Sequence, residues 1–303
     1  MIDDRVQASG RSTYSTEQPS ESVVLDQALL RRFEPIVRCT KGEAFLPMSV
    51  ESYVRHCSLW QERANEDPIC LIPAGELSLE KLAEMTFLPD DALHYLKFID
   101  PLKLTQLAAY RLHDLTHKTP RDLFHAGRGR LARVGYISRL IDAVFTLSLL
   151  ARGRVPGDTA AAAGQVYQSM TEEEKQPCYY GRVIRRNGWV ILQYWFLYAF
   201  NNWRSGFDGA NDHESDWEMA LIYLAPTDHQ GLKPTWVAYA AHDFSGDDLR
   251  RHWDDPELEK EGEHPIIYAG AGSHASYFQS GEYLPTIEVS FLAPIARFVR
   301  GLR

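Results

Sequence analysis

The sequence is short of several features that would assign it to a common enzyme class. It has no G-x-S-x-G elbow, so a hydrolase built on that strained strand-to-helix serine has no anchor here. No G-x-x-x-x-G-K-[ST] loop and no G-x-G-x-x-G fingerprint occurs, which removes the usual phosphate and dinucleotide cradles. Only four cysteines are present, Cys39, Cys57, Cys70 and Cys178, and none forms a CxxC pair. That spacing argues against a zinc site and reads as reduced structural thiols in a cytoplasmic protein. The first residues, "MIDDRVQASGRSTYSTEQPSES", lack the apolar stretch of a secretory signal and read as a disordered tail over 1–24. Long hydrophobic runs are missing as well. The longest uncharged one, Asn187 to Trp203, falls short of the roughly 20 apolar residues a spanning helix needs, and it contains Gln193, Asn201 and Asn202. Nor is there an excess of positive charge. The net charge is -9, which steers the chain away from nucleic acid and anionic lipid except at local basic patches.

What is abundant is aromatic. The 303 residues include 15 Tyr, 13 Phe and 7 Trp, a composition that favours a β core. Strand candidates cluster at both ends of the chain. "FEPIVRC" and "PICLIP" lie in the first part; "YYGRVIRR", "GWVILQYWFLYAF", "DWEMALIYL", "PTWVAYAAHDF" and "HPIIYAG" follow residue 179. The run "GWVILQYWFLYAF" reads as a strand buried on both faces. Between the two β-rich parts, helical spacing recurs in "LKLTQLAAYRLHD" and "RLARVGYISRLIDAVFTLSLLARG". A third helix is expected in "GDTAAAAGQVYQSM", capped by Asp158 or Thr159. The expected architecture is mainly β with a helical insertion, an α+β protein. Its β-sandwich is built from 25–100 and 171–290, with helices over 101–170 and a C-terminal helix over 291–303. In that last segment Ile295, Phe298, Val299 and Leu302 fall on one face, and Arg297, Arg300 and Arg303 fall away from it. The pattern suits a helix docked on the body, or a basic amphipathic helix making peripheral membrane contact.

The chemistry concentrates in "FNNWRSGFDGANDHESDWEMALIYL", Phe200 to Leu224. Five carboxylates and an imidazole crowd a short span between two hydrophobic strands, and burial makes their repulsion worse unless something compensates. Residues two apart on a strand share a face, so Asp216 and Glu218 project together. His213 can fold back over the same point, and Asp208 or Asp212 could add a fourth ligand. Oxygen-rich donors with one imidazole suit a divalent cation of the Mg, Ca or Mn kind. The alternative is a solvated acidic loop paired to Arg204. In this register Trp217 falls in step with Met219, Leu221 and Tyr223 and is expected in the core. Glu214→Gln is expected to do little.

Two more histidines sit at strand ends. His242 follows "TWVAYAA", and His274 lies in "GAGSHASY", where Gly270 and Gly272 leave room for a neighbouring backbone or a ligand. Each is a candidate fifth ligand or catalytic base, and each could instead be a core histidine satisfied by a carbonyl.

Four motifs carry a resemblance. "PIVRCTKGEAFLPMSVESYV", "YWFLYAFN", "NDHESDWE" and "AGAGSHASY" resemble, in order, signatures of the vacuolar protein sorting-associated protein 62 family, over about 25–60 and 179–285. More distantly, "DHESDWE" is similar to the GHRHDWE heptapeptide of the necrosis- and ethylene-inducing-like proteins. His213, Asp216, Trp217 and Glu218 match, and Asp212, Glu214 and Ser215 depart from that pattern. The resemblance implies a β-sandwich that binds a divalent cation and recognises a membrane sphingolipid head group.

Three functions remain open at this level. One is a cation-dependent module recognising a glycan or lipid head group. Another is a metal-dependent hydrolase in which the cation activates water and His242 or His274 acts as base. The third is an interaction scaffold with a structural metal.

Overall fold

The computed structural model describes residues 20–40, 42–85, 91–100, 159–202, 212–228, 231–241 and 249–280, together with the backbone of 5–6 and 9–10. In chain order, β1 (Arg5–Val6) and β2 (Ser9–Gly10) precede helix α1 (Glu21–Arg32) and β3 (Ile36–Arg38). Then come α2 (Val50–His56), β4 (Ser58–Glu62), β5 (Ile69–Ile72), α3 (Leu79–Glu84) and β6 (Leu93–Lys97). After α4 (Thr159–Ser169) the chain is all strand: β7 (Cys178–Arg186), β8 (Trp189–Asn201), β9 (His213–Pro226) and β10 (Leu232–Tyr239), then β11 (Arg250–His252), β12 (Lys260–Glu261), β13 (His264–Ala269) and β14 (Ser276–Tyr277). The fold is of the β-rich α+β class expected.

A six-stranded sheet, ordered β11-β10-β9-β8-β7-β2, forms the body. Its central hairpins follow from sequence. Asn187 and Gly188 close β7 onto β8 with φ of 51° and 78°, the pair of left-handed residues a tight two-residue hairpin turn requires. A second sheet, β1-β3-β13-β12 with β14 on β13, faces it. Here β3 runs parallel to β13, with Val37 opposite Ile267, so the sheet joins chain segments more than 200 residues apart. Leu192, Tyr194 and Phe196 from β8, Ile222 from β9, and Val37 and Ile267 from the second sheet share one hydrophobic core. A third sheet, β5-β4-β6, packs with α2, α3 and α4 around a second core that reaches Leu197, Ala199 and Phe200 at the end of β8.

Several expectations shift. Phe33 closes α1 rather than opening a strand, and Pro35 confines the strand in "FEPIVRC" to three residues. Strand β8 is buried on both faces only from Phe196 to Asn201; towards Trp189 alternate residues reach solvent. The expected helix in "GDTAAAAGQVYQSM" is α4. The other helices of the expected insertion and the C-terminal helix lie outside the described residues. Among the described residues, no helix is long and apolar enough to cross a membrane. No disulfide joins the four cysteines, three of which are buried.

Candidate functional site

The inner face of the six-stranded sheet carries its charge in the middle of the sandwich. Asp216 and Glu218 on β9 are 4% and 3% exposed, in phase with the buried Ala220, Ile222 and Leu224. Trp217 alternates with them and is 42% exposed, so the expectation of a core Trp217 is corrected. The strand presents its acids inward and its tryptophan outward. The shared facing of Asp216 and Glu218 holds, but the face is the buried one.

A kink explains how His213 reaches them. Ser215 adopts a left-handed φ of 60°. Past that point the alternation of β9 and its partner β8 turns over. Phe200 joins the second core and Glu214 accepts the Phe98 N–H at 2.6 Å, while Asn201 and His213 swing to the side of Asp216. Glu214 thereby ties β9 to the residues following β6. Burial raises its pKa, against the backbone N–H groups of Phe98 and Ile99 that lower it. Glu214 faces away from Asp216, and its observed role is this tether to Phe98.

Asp216 is bonded from both sides. Its Oδ2 accepts from Asn201 Nδ2 at 3.1 Å and meets His274 Nδ1 at 2.8 Å. Its Oδ1 lies 3.4 Å from Nε2 of His213, whose side chain is 53% exposed. On its far side, His274 Nε2 stands 3.6 Å from Glu43 Oε1. Glu43 in turn accepts the N–H groups of Ala44 and Gly272, each at 3.0 Å. The result is a line of groups running from solvent inward: His213, Asp216, His274, Glu43. Tyr198 lies flat on the His274 ring, 3.9 Å between centroids and 5° between planes.

The electrostatics are mutually supporting. Burial alone would pull the His274 pKa down, but its hydrogen bond to Asp216 and the nearby Glu43 carboxylate outweigh burial and leave it above the ordinary imidazole value. Asp216 and Glu43 are each pushed up by burial and brought below the ordinary carboxylate range, Asp216 by His213 and His274, Glu43 by His274 and the two backbone N–H groups. The arrangement favours an imidazolium between two carboxylates, as in a buried ion pair. Cys39 nearby is pushed up to about 12 by burial and the Glu43 charge, so it stays a thiol.

The loop that carries His274 is built for close approach. His274 has a φ of 54°, and its N–H donates to the Gly270 carbonyl at 2.8 Å. Gly272, at φ 70°, sits where a Cβ would meet the Asn202 carbonyl oxygen at 2.7 Å. Gly272 makes room for this backbone, and Gly270 for the Ser273 hydroxyl and the Tyr277 ring.

Of the residues singled out from sequence, the fold brings His213, Asp216 and His274 together and buries Glu218 beside them on the same strand face. Asp212 precedes β9. Asp208 and His242 lie outside the described residues. Glu43, Asn201 and Tyr198 were not among the expected site residues. Glu43 is the acidic residue in the "TKGEAFLPMS" motif, and that was its only signal. Among the described residues, no three His, Cys, Asp or Glu side chains gather where one metal ion could touch them all. The donors suit a hard divalent cation in kind. In number, His213 and the outer oxygen of Asp216 are a pair.

No family model matches the chain, and no curated protein matches it either. The resemblance to the vacuolar protein sorting-associated protein 62 family expected from the four motifs is therefore not shown by these comparisons. Among solved structures, the chain is similar in part to NLPPya in complex with mannosamine, at 18% identity and a TM-score of 0.25, over 37% of this chain and 50% of that one. It is also similar to Necrosis and Ethylene inducing Protein 2 from the causal agent of cocoa's Witches Broom disease, at 22% identity and a TM-score of 0.28, over 39% and 52%. A third, described as a toxin fold for microbial attack and plant defense, matches at 17% identity and a TM-score of 0.25, over 40% and 55%. The chain thus spans about half the length of each. Overlaps this loose carry no weight for activity; the structures it is similar to are necrosis- and ethylene-inducing toxins, at low identity and partial coverage.

Proposed function

We propose that the chain is a divalent-cation-dependent binding module that takes a polyhydroxylated ligand, a glycan or lipid head group, at the rim marked by His213 and Asp216. The observation that carries this reading is the division of labour within the Asp216 carboxylate. Asn201 and His274 hold Oδ2 from within, and Oδ1 is turned to the exposed His213. A carboxylate fixed on one oxygen presents the other at a set angle, which is how supporting groups orient a metal ligand. Two protein donors leave most positions of a Mg, Ca or Mn ion to water and to ligand hydroxyls. Cation and ligand would then strengthen each other's binding by the same factor.

His274 in this reading is a positioning residue. It is fully buried and engaged with Asp216 and Glu43, a place from which it orients a carboxylate rather than accepting a proton from an outside substrate. The test is a glycan and lipid-head-group array probed with purified protein in calcium or manganese, and again in excess EDTA. The expected result is binding that EDTA abolishes and added cation restores. Binding unchanged by EDTA, or none in either condition, overturns the reading.

A further inference from the structure

The outer face of the six-stranded sheet, on the other side from the charged network, concentrates aromatic and basic side chains. The strand registers place Tyr180 opposite Trp195, Trp195 opposite Met219, and Tyr223 opposite Trp236, so these residues share one face across four strands. Trp217 lies next to Trp195, their rings 6.4 Å apart, and 6.1 Å from Tyr180. Trp189 and Tyr223 form a second pair at 6.2 Å. Four of the chain's seven tryptophans, Trp189, Trp195, Trp217 and Trp236, therefore line one surface of one sheet.

Charge on this face has one sign. Arg182, Arg186, Lys233 and Arg250 are exposed at positions on it, and Arg250 lies over the Trp236 ring at 5.4 Å. Among the described residues, one strand-paired position on that side carries a carboxylate, Glu214 beyond the kink, and it is turned to the Phe98 N–H rather than to solvent. The nearest acids stand at its margins: Glu51, which accepts from the Tyr180 hydroxyl, and Asp254, beside His252. A basic face on a chain of net charge -9 is a local reversal, and it selects an anionic partner.

We infer that this face is a second binding surface, for an anionic polysaccharide chain. The C–H faces of pyranose rings pack on indole and phenol rings as apolar surface, and the band from Tyr180 to Trp236 crosses neighbouring strands in the manner of a groove for an extended chain. Guanidinium groups at its borders fit carboxylate or sulfate substituents bidentately, and Gln193, half-buried amid the band, offers an amide to hydroxyls. Two other occupants fit less well. A second copy of the chain docked by twofold symmetry would set arginines against arginines. A membrane requires rings that project, whereas the tryptophans other than Trp217 lie half-buried, level with the sheet. The surface is separate from the His213–Asp216 rim and needs no cation.

The test is isothermal titration of the whole protein with polygalacturonate, with heparin and with neutral laminarin, all in EDTA, beside co-sedimentation with phosphatidylserine vesicles. Binding to an anionic polymer, weakening as salt rises, is expected, with laminarin at least about tenfold weaker. Arg182→Ala with Arg186→Ala, and separately Trp217→Ala, are expected to lower affinity at least about fivefold while circular dichroism and melting show a folded protein. Retained affinity in both folded variants, equal binding to laminarin, binding to no polysaccharide, or binding to vesicles alone would each overturn the inference. Because every arm contains EDTA, failure here is distinguishable from failure of the cation-dependent rim.

Discussion

The two faces of the six-stranded sheet are arranged against simple hydrophobic sorting. The face turned into the sandwich carries Asp216 and Glu218 at its centre and receives His274 and Glu43 from neighbouring loops. The face turned to solvent carries Trp189, Trp195 and Trp217. A sheet that merely hid its apolar residues would place Trp217 inside and Asp216 outside, since they alternate on one strand. The difference teaches that facing on β9 is decided by the whole strand. Ala220, Ile222 and Leu224 fix the inward phase, and Asp216, which shares it, is tolerated because an imidazole and an amide satisfy it.

The largest effect should come from removing that compensation. His274→Ala leaves Asp216 and Glu43 buried without their shared cation, and loss of one partner of a buried ion pair costs about 3–5 kcal/mol. Urea unfolding should show it; a change near zero would mean that the inner face does not depend on the imidazolium. Titration should erode the same network from both ends. The His274 pKa is raised in the fold, so its contribution is complete below the ordinary imidazole value and is lost as pH rises through the elevated one. The Asp216 and Glu43 values are lowered, so theirs is complete above the ordinary carboxylate range and is lost on acidification. Thermal melting across pH should trace a plateau between those limits in the wild type, with the alkaline limb displaced in His274→Gln. An unaltered alkaline limb would count against the assignment.

Much of this was legible in the sequence, and the part that was not has a physical cause. All five strand candidates after residue 179 contain strands, because runs of β-branched and aromatic residues bounded by Gly, Pro, Asp and Asn are a local signal. The common facing of Asp216 and Glu218 followed from the period of two. Which face it was did not, because Trp217, Met219, Leu221 and Tyr223 form as apolar a set as the one that is buried. Glu43 was hidden because it joins His274 across more than 200 residues through a loop, and no pattern within one segment encodes that pairing. Nothing in the sequence marks the kink at Ser215, and its left-handed backbone is what turns Glu214 away from Asp216 and towards Phe98.

That turn gives the next effect. Glu214→Gln keeps the shape but weakens the acceptor for the Phe98 N–H, and should cost about 1–2 kcal/mol. Hydrogen exchange at Phe98 should rise with it; an unprotected Phe98 amide in the wild type would contradict the tether. The smallest effect belongs to the outer face. Trp217→Ala removes a ring that is 42% exposed and makes only edge and tilted contacts, so its cost should be about 1 kcal/mol. A loss as large as that of His274→Ala would reverse the contrast between the faces.

The most direct measurement is isothermal titration of metal-free protein with manganese or calcium, wild type beside His213→Ala. His213 is exposed, so this substitution should leave the fold intact. The expected result is saturable binding by the wild type and affinity lower by about tenfold or more in the variant, the scale on which lost metal support is felt. No binding by the wild type, or identical isotherms for the two proteins, would contradict a cation held at the His213–Asp216 rim.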